Sequence, residues 1–108
     1  MGIVSATKGS QSCSIGTEHP LATQIGLGIY ILVVDTANMT TGDVVVIRIK
    51  SKYGTGGISR TAYTFTYGDI QAEPNKYSVP IPIDTEIACT IQQTSGVGKE
   101  FPWNLLRC

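Results

Sequence analysis

The chain has 108 residues, with eight acidic and eight basic side chains, so its formal net charge is +0. Apolar residues make up 42% of the chain and charged residues only 15%, a composition that excludes charge-driven disorder and favours one domain with its own core. It also excludes the clustered excess of Lys and Arg with which proteins neutralise phosphates, so we expect no nucleic-acid partner.

The N-terminal third predicts three short strands, over residues 3–8, 12–15 and 22–25, separated by Gly, Ser and His-Pro turn signals. The only histidine, His19, falls in a predicted loop and has no second metal ligand near it in the sequence. We interpret it as a solvated loop residue and predict no metal site. The first twelve residues contain one lysine and no apolar run, so a secretory signal peptide is not expected.

The next two strands differ in their patterns. Residues 28–35 contain an unbroken apolar run, which predicts a strand buried on both faces and is too short to cross a membrane. Residues 44–52 alternate instead, which predicts one face in the core and one cationic face in solvent. The predicted core residues are Val45, Ile47 and Ile49, and the solvent-facing ones are Arg48, Lys50 and Lys52.

A loop with three glycines, residues 53–57, predicts a hairpin that leads into a strand over residues 58–67. Three aromatic residues of that strand are predicted to share one face with Thr61. They are Tyr63, Phe65 and Tyr67. We interpret this row as core, with a sugar-binding platform as the alternative.

Residues 77–83 predict a strand with Val79, Ile81 and Ile83 facing inward. Pro80 and Pro82 alternate outward, and because proline cannot donate to a ladder, we expect an edge strand. Residues 86–93 predict a further strand whose inner face carries Ile87, Cys89 and Ile91.

Cys89 is therefore interpreted as a small core residue, and all three cysteines as reduced and structural. Whether Cys108 pairs between subunits is left open by the sequence.

Four aspartates stand beside turn residues, where Asp usually caps backbone groups, and we interpret them so rather than as paired catalytic carboxylates. They are Asp35, Asp43, Asp69 and Asp84. Residues 96–99 superficially match a phosphate-binding loop, but the glycine spacing is too short and Glu100 replaces the required Ser or Thr, so a turn is predicted. No catalytic residue and no cofactor is predicted.

Residues 100–108 form an apolar C-terminal tail, although chain ends are usually polar unless they are tied down. The tail either closes the domain's own sheet or docks onto a partner, in which case Trp103 is the expected centre of the interface. Pro102 argues against a central strand position. The candidate docking residues are Phe101, Trp103, Leu105 and Leu106.

Short strands at intervals of roughly ten residues, without a helical repeat, predict an all-β fold. We expect one domain over residues 1–108, a compact antiparallel β-sandwich of about eight short strands with a jelly-roll-like arrangement.

Four segments of the chain resemble a group of small virion structural proteins of tailed bacteriophages: residues 28–36, 42–50, 56–63 and 71–74. The resemblance extends over nearly the whole chain but lies in strand and turn patterns, not in site residues. Such proteins decorate or cement the capsid. They are typically small β-sandwiches or jelly rolls that sit as dimers or trimers over symmetry axes and staple neighbouring coat subunits.

The resemblance implies a homo-oligomeric capsid decoration protein whose partner is the major capsid protein. It implies a place on the capsid surface of a virion assembled in the host cytoplasm, and neither enzymatic activity nor a cofactor. Two alternatives stay open. One is another virion component, such as a tail or head-completion protein, and the other is a lectin-like glycan-binding module that uses Tyr63, Tyr67 or Trp103.

Overall fold

The computed structural model describes residues 3–52, 54 and 57–108, and all regular structure in this part of the chain is β-strand. Of the predicted hairpin loop, Tyr53, Thr55 and Gly56 lie outside the described residues. The strands are β1 (Val4–Ser12), β2 (Glu18–Ile25), β3 (Gly28–Asp35), β4 (Val44–Lys52), β5 (Arg60–Gly68), β6 (Asn75–Tyr77), β7 (Ile81–Ile83), β8 (Glu86–Ser95) and β9 (Glu100–Arg107).

The strands form two antiparallel sheets that pack face to face, which confirms the predicted all-β sandwich. The first sheet has the order β1-β9-β3-β6, with β7 also paired to β3, and the second has the order β2-β8-β4-β5. Because β6 and β7 share one position beside β3, the described residues fill eight strand positions. This order is that of a jelly roll.

The core lies between the sheets and consists of the inward-facing residues of the central strands. The alternation predicted for β4 and β8 is confirmed, since every predicted inward residue of these strands is 0% exposed. In β3 the inward residues Tyr30, Leu32 and Val34 are at most 1% exposed. Burial of each such side chain contributes about 1.5–3 kcal/mol to folding.

Two predictions for the N-terminal third are wrong. Residues 12–15 do not form a separate strand, because β1 continues through Gly9 to Ser12 along β9 and the chain then turns. His19 lies within β2, opposite Ile91, and not in a loop. Its half-buried ring accepts a hydrogen bond at Nε2 from the Ser14 N–H, at 3.1 Å.

The predicted hairpin and its second strand are found as the antiparallel pair β4–β5. The aromatic row faces inward as predicted and packs against the core. However, the pairing of β4 with β5 shifts at Ala62, which places Thr61 opposite Lys50 on the outer face and not with the aromatic residues. A β-bulge of this kind is not visible in a strictly alternating sequence pattern.

The strand predicted over residues 77–83 is divided into β6 and β7. In the part of the chain that the structure describes, both pair with β3 alone, so the predicted edge position is confirmed. Between them the buried Ser78 donates its N–H to the Leu32 carbonyl, and its hydroxyl accepts from the Leu32 N–H at 3.0 Å. Because a side chain replaces the backbone acceptor, the alternation breaks and Val79 is exposed, contrary to the prediction.

The C-terminal tail is a strand, β9, which lies between β1 and β3, so the expectation that Pro102 excludes a central position is wrong. The pairs with β1 extend to Glu100, whereas those with β3 end at Trp103. Pro102 therefore lies just beyond the last pair with β3, where β9 has a single neighbour. A residue without an N–H is tolerated at such a place.

Candidate docking surface

The outer face of the first sheet carries apolar side chains along its central strand β3. Ile29, Ile31 and Val33 alternate with the buried residues and point away from the core; Ile29 is 43% exposed and the other two are half-buried. The prediction that this strand is buried on both faces is therefore wrong for the single chain, because the second sheet covers only one face of it. The unbroken apolar run of β3 therefore leaves a row of apolar side chains on the outer surface of the sheet.

Neighbouring strands extend this row on both sides. Leu106 of β9 lies opposite Ile31, and Tyr77 of β6 lies opposite Val33. Pro82 of β7 lies opposite Ile29. We call the surface formed by these residues the outer apolar face: Ile29, Ile31, Val33, Tyr77, Pro82 and Leu106.

An open groove of about 180 Å³ lies at one end of the outer apolar face. Its walls are formed by Val33, Asp35 and residues 102–104. The two polar side chains there already have partners: Asp35 accepts from the Ala37 N–H at 2.9 Å, and Asn104 accepts from the Ser5 hydroxyl at 2.6 Å. The groove therefore offers mainly apolar contact.

The outer face of the second sheet is polar. Glu18 lies 3.4 Å from Arg48 and 3.3 Å from Lys50, and it accepts from the Thr90 hydroxyl at 2.5 Å. The Thr90 hydrogen bond and then the two cations hold the pKa of Glu18 below its usual range, against an opposing effect of partial burial. This part of the second sheet is thus polar, whereas the outer face of the first sheet is apolar around β3.

The four residues predicted to dock a partner do not share one surface. Phe101 and Leu105 are 0% exposed and belong to the domain's own core. Trp103 faces the same side and packs half-buried against the core, beside Gly9. Of the four, Leu106 alone belongs to the outer apolar face. The tail therefore closes the domain's own sheet, which is one of the two interpretations that the sequence left open. The predicted docking role is wrong for Phe101 and Leu105, because neither side chain reaches the surface.

The docking residues that the prediction missed lie on β3. Their signal was present, because an unbroken apolar run indicates two buried faces. We assigned both faces to the domain's own core, whereas a single chain supplies cover for only one of them.

Of the aromatic residues considered for glycan binding, the two tyrosines share one row and Trp103 lies apart from them. Tyr63 and Tyr67 face the interior from β5, at one edge of the second sheet. Trp103 lies beside β1, toward the opposite edge of the sandwich. This arrangement confirms that the Tyr63–Tyr67 row packs against the core, and it separates Trp103 from that row.

The aspartates cap turns, as predicted. Asp35, Asp69 and Asp84 accept from the N–H groups of Ala37, Gly42 and Gly54 at 2.9, 2.8 and 3.3 Å. Asp43 is buried and accepts from the N–H groups of Thr40 and Val97. Its second partner lies in the loop over residues 96–99, so this loop is tied to the turn that Asp43 caps.

The three cysteines, all within the described part of the chain, carry free thiols. Cys89 is fully buried, and burial raises the pKa of its thiol to about 12, as suits an unreactive core residue. Burial also raises the pKa of the Cys13 thiol, although a backbone hydrogen bond with Gln93 opposes the effect. Cys108 is exposed.

Among residues 3–52, 54 and 57–108, no group of three or more His, Cys, Asp or Glu side chains is placed to hold a metal ion. In the same described ranges, no helix has the length and apolarity needed to span a membrane. Comparison with known proteins yields no match to a protein-family model, a curated protein or a solved structure. The function therefore has to be inferred from the surfaces of the molecule.

Proposed function

We propose that the chain is a non-enzymatic structural protein that binds its partner through the outer apolar face, and that it is a capsid decoration protein. The observation that carries the binding mode is the outward row of Ile29, Ile31 and Val33 on a central strand. The identity of the partner, the major capsid protein, is supported by the resemblance of the strand and turn segments to phage virion proteins.

A sheet face of this composition suits a stable, rigid contact. Apolar surface removed from water contributes about 25 cal/mol per Å². β-Branched side chains held in a strand have few rotamers to lose on binding, so the entropic cost of ordering the surface is small. A decoration protein that contacts several coat subunits at once gains further affinity from multivalency.

The polar outer face supports the same orientation. With the first sheet against the capsid, the Glu18 cluster on the second sheet points into solvent, where Arg48 and Lys50 share the one carboxylate. The chain as a whole has a formal net charge of +0. Many copies on one particle would therefore repel each other only weakly.

The fold alone does not decide the function, because jelly rolls occur in both viral capsid proteins and lectins. The inward orientation of Tyr63 and Tyr67 weighs against the lectin alternative. A tail or head-completion protein, the other alternative, would bind a different virion component and can be distinguished by that partner.

Co-sedimentation with capsids that lack this protein tests the proposal. The wild-type protein is expected to pellet with them at a fixed ratio to coat subunits. Val33→Lys places a charge in the outer apolar face and is expected to weaken binding by about tenfold or more, because the charge must be desolvated in the contact. Val46→Lys is the matched control, because Val46 is also a half-buried outward valine on a central strand, but in the second sheet. It should bind like the wild type.

Undiminished binding of Val33→Lys, with a preserved thermal transition, would contradict the proposed face. If the wild-type protein does not bind capsids but binds phage tails, it has another role in the virion. Saturable binding on a glycan array, with quenching of Trp103 fluorescence, would favour the lectin.

A further inference from the structure

The edges of the two sheets differ in how well they are protected against pairing with another chain. Free backbone donors and acceptors on an edge attract further strands, and proteins block them with charges, prolines, bulges or short strands. On the β2 edge stand Glu18 and Pro20, followed by a register shift. On the β1 edge stand Lys8 and a register shift between Ser5 and Thr7.

The edge formed by β6 and β7 is protected as well. The two strands have three residues each, and they are separated by the break at Ser78. Lys76 and Pro82 add a charge and a residue without an N–H. A long strand from another molecule would find no continuous ladder there.

β5 lacks most of these features. Residues 61–68 contain neither a charged residue nor a proline. The register shift lies at Ala62, so the pairing with β4 is regular from Tyr63 to Gly68. Within the described ranges β4 is the one strand paired with β5, which leaves its other edge open.

The regular part of β5 reads the same in both directions: Tyr63, Thr64, Phe65, Thr66, Tyr67. Directly opposite residues of an antiparallel pair share a face of the sheet. Two copies paired about Phe65 would therefore place Tyr63 opposite Tyr67 on the inner face and Thr64 opposite Thr66 on the outer face. A twofold interface requires self-complementarity of this kind.

The aromatic row is also incompletely covered in the single chain. Its three rings are half-buried, whereas the inward residues of β4 and β8 at the centre of the same sheet are 0% exposed. Lys76 contacts the Tyr67 ring, with Nζ 4.9 Å from the centroid. The aromatic row of a second copy, placed alongside, would continue the core across the edge.

Charge complementarity favours the same register. Pairing about Phe65 brings the beginning of β5 in one copy beside the end of β5 in the other, so that Arg60 lies near Asp69 of its mate. The two charges that flank the uncharged segment are opposite in sign, and the twofold axis repeats the contact at the other end.

We propose that the chain forms a twofold homodimer by antiparallel pairing of β5 with β5 of a second copy. The second sheet of each copy has four strands, and the two copies of this sheet then join into one continuous sheet of eight strands. This inference does not rest on the proposed function: the outer apolar face belongs to the other sheet and stays open in both copies.

Sedimentation equilibrium of the full chain over a broad dilution series tests the dimer. The double variant Thr64→Lys with Thr66→Lys puts like charges opposite each other at two symmetric places, and we expect the dimer dissociation constant to rise about tenfold. The matched variant Thr64→Lys with Thr66→Glu puts opposite charges at those places and should dimerise like the wild type. Both pairs of side chains point outward from exposed positions, so thermal unfolding should show a folded protein in each case.

Equally tight dimers of the wild type and the Lys/Glu variant, with dimers of the Lys/Lys variant that are weaker by about tenfold or more, would support the proposal and its register. A wild-type monomer at every concentration, a trimer, or a Lys/Lys variant that dimerises as tightly as the wild type would overturn it.

Discussion

At Gly9 the lack of a side chain lets the indole of Trp103 lie against β1. A Cβ at this position would lie 3.2 Å from Trp103 Cζ2, closer than a normal contact. The two residues are directly opposite in the β1–β9 pair, so the ring would have to shift by a few tenths of an ångström to make room for a side chain at Gly9.

Replacing Gly9 by valine should therefore destabilise the protein even though valine favours strands. We expect Gly9→Val to lower the free energy of unfolding by about 1–3 kcal/mol through overcrowding, measured by urea denaturation with Trp103 fluorescence. Gly68→Val is the control, because the nearest side-chain atom to its Cβ would be 3.7 Å away, on Val44. Equal stability of the two variants would contradict the packing argument.

Asp43 holds together two loops at one end of the sandwich. It is 1% exposed, it accepts N–H donors from Thr40 and Val97, and it lies 3.4 Å from Lys99 Nζ. Burial alone would raise its pKa, but the hydrogen bonds and then Lys99 outweigh that effect and hold the pKa of Asp43 below its ordinary value of 3.8.

A lowered pKa in the folded state means that the unfolded state takes up the proton first as the pH falls. The stabilisation by Asp43 is thus complete above pH 3.8 and is lost as the pH falls through the lowered pKa. Asp43→Asn should cost about 1–3 kcal/mol at neutral pH, and its disadvantage should shrink in acid. Denaturation at a series of pH values checks this, and a disadvantage that stays constant down to strongly acid pH would contradict it.

At the scale of strands, the break between β6 and β7 depends on one hydroxyl. Ser78→Ala removes the acceptor of the Leu32 N–H in the sandwich interior. We expect a loss of about 1–3 kcal/mol in the free energy of unfolding, because a buried donor would be left without a partner. Ser10→Ala, which removes an exposed hydroxyl bonded to Glu100, should change it by less than about 0.5 kcal/mol. Comparable losses would show that the bridge is unimportant.

Because β9 is a central strand, deleting the C-terminal tail is expected to test the stability of the fold and not the docking of a partner. In the described part of the chain β9 is the strand that pairs with β1, and it also borders β3. Removing residues 100–108 would leave β1 unpaired and Phe101 and Leu105 absent from the core. We expect the shortened chain to lose its cooperative thermal transition in circular dichroism, so it cannot serve as a test of docking. A retained cooperative transition would contradict the central role of β9.

At the scale of the whole molecule, the two outer faces differ in polarity while the net charge is close to zero. The sequence pI is about 6.5, so the unbound protein should be least soluble near that pH. Val33→Lys and Val46→Lys add the same charge, one on each face. We expect Val33→Lys to raise solubility more in precipitation assays, because it also interrupts the outer apolar face. Equal gains would indicate that net charge alone controls solubility.

Much of the fold could be predicted because alternation is a local property of a strand. Residues 44–52 and 86–93 were placed correctly, with the right residues inward, since each pattern has a period of two. The predictions that failed involve partners distant in sequence. Gly9 predicts a turn by its residue type but lies within β1 and packs against Trp103. Pro102 predicts an edge strand, whereas β9 is central and β3 ends just before it reaches Pro102.

The amino-acid sequence by itself determined the alternating strands of an all-β fold and the inward position of Cys89, because those features depend on side chains a few residues apart. Only the tertiary structure decided which apolar residues remain at the surface. Cover for β3 comes from strands far along the chain and reaches just one of its faces, and the same long-range assembly placed the apolar C-terminal strand in the middle of a sheet.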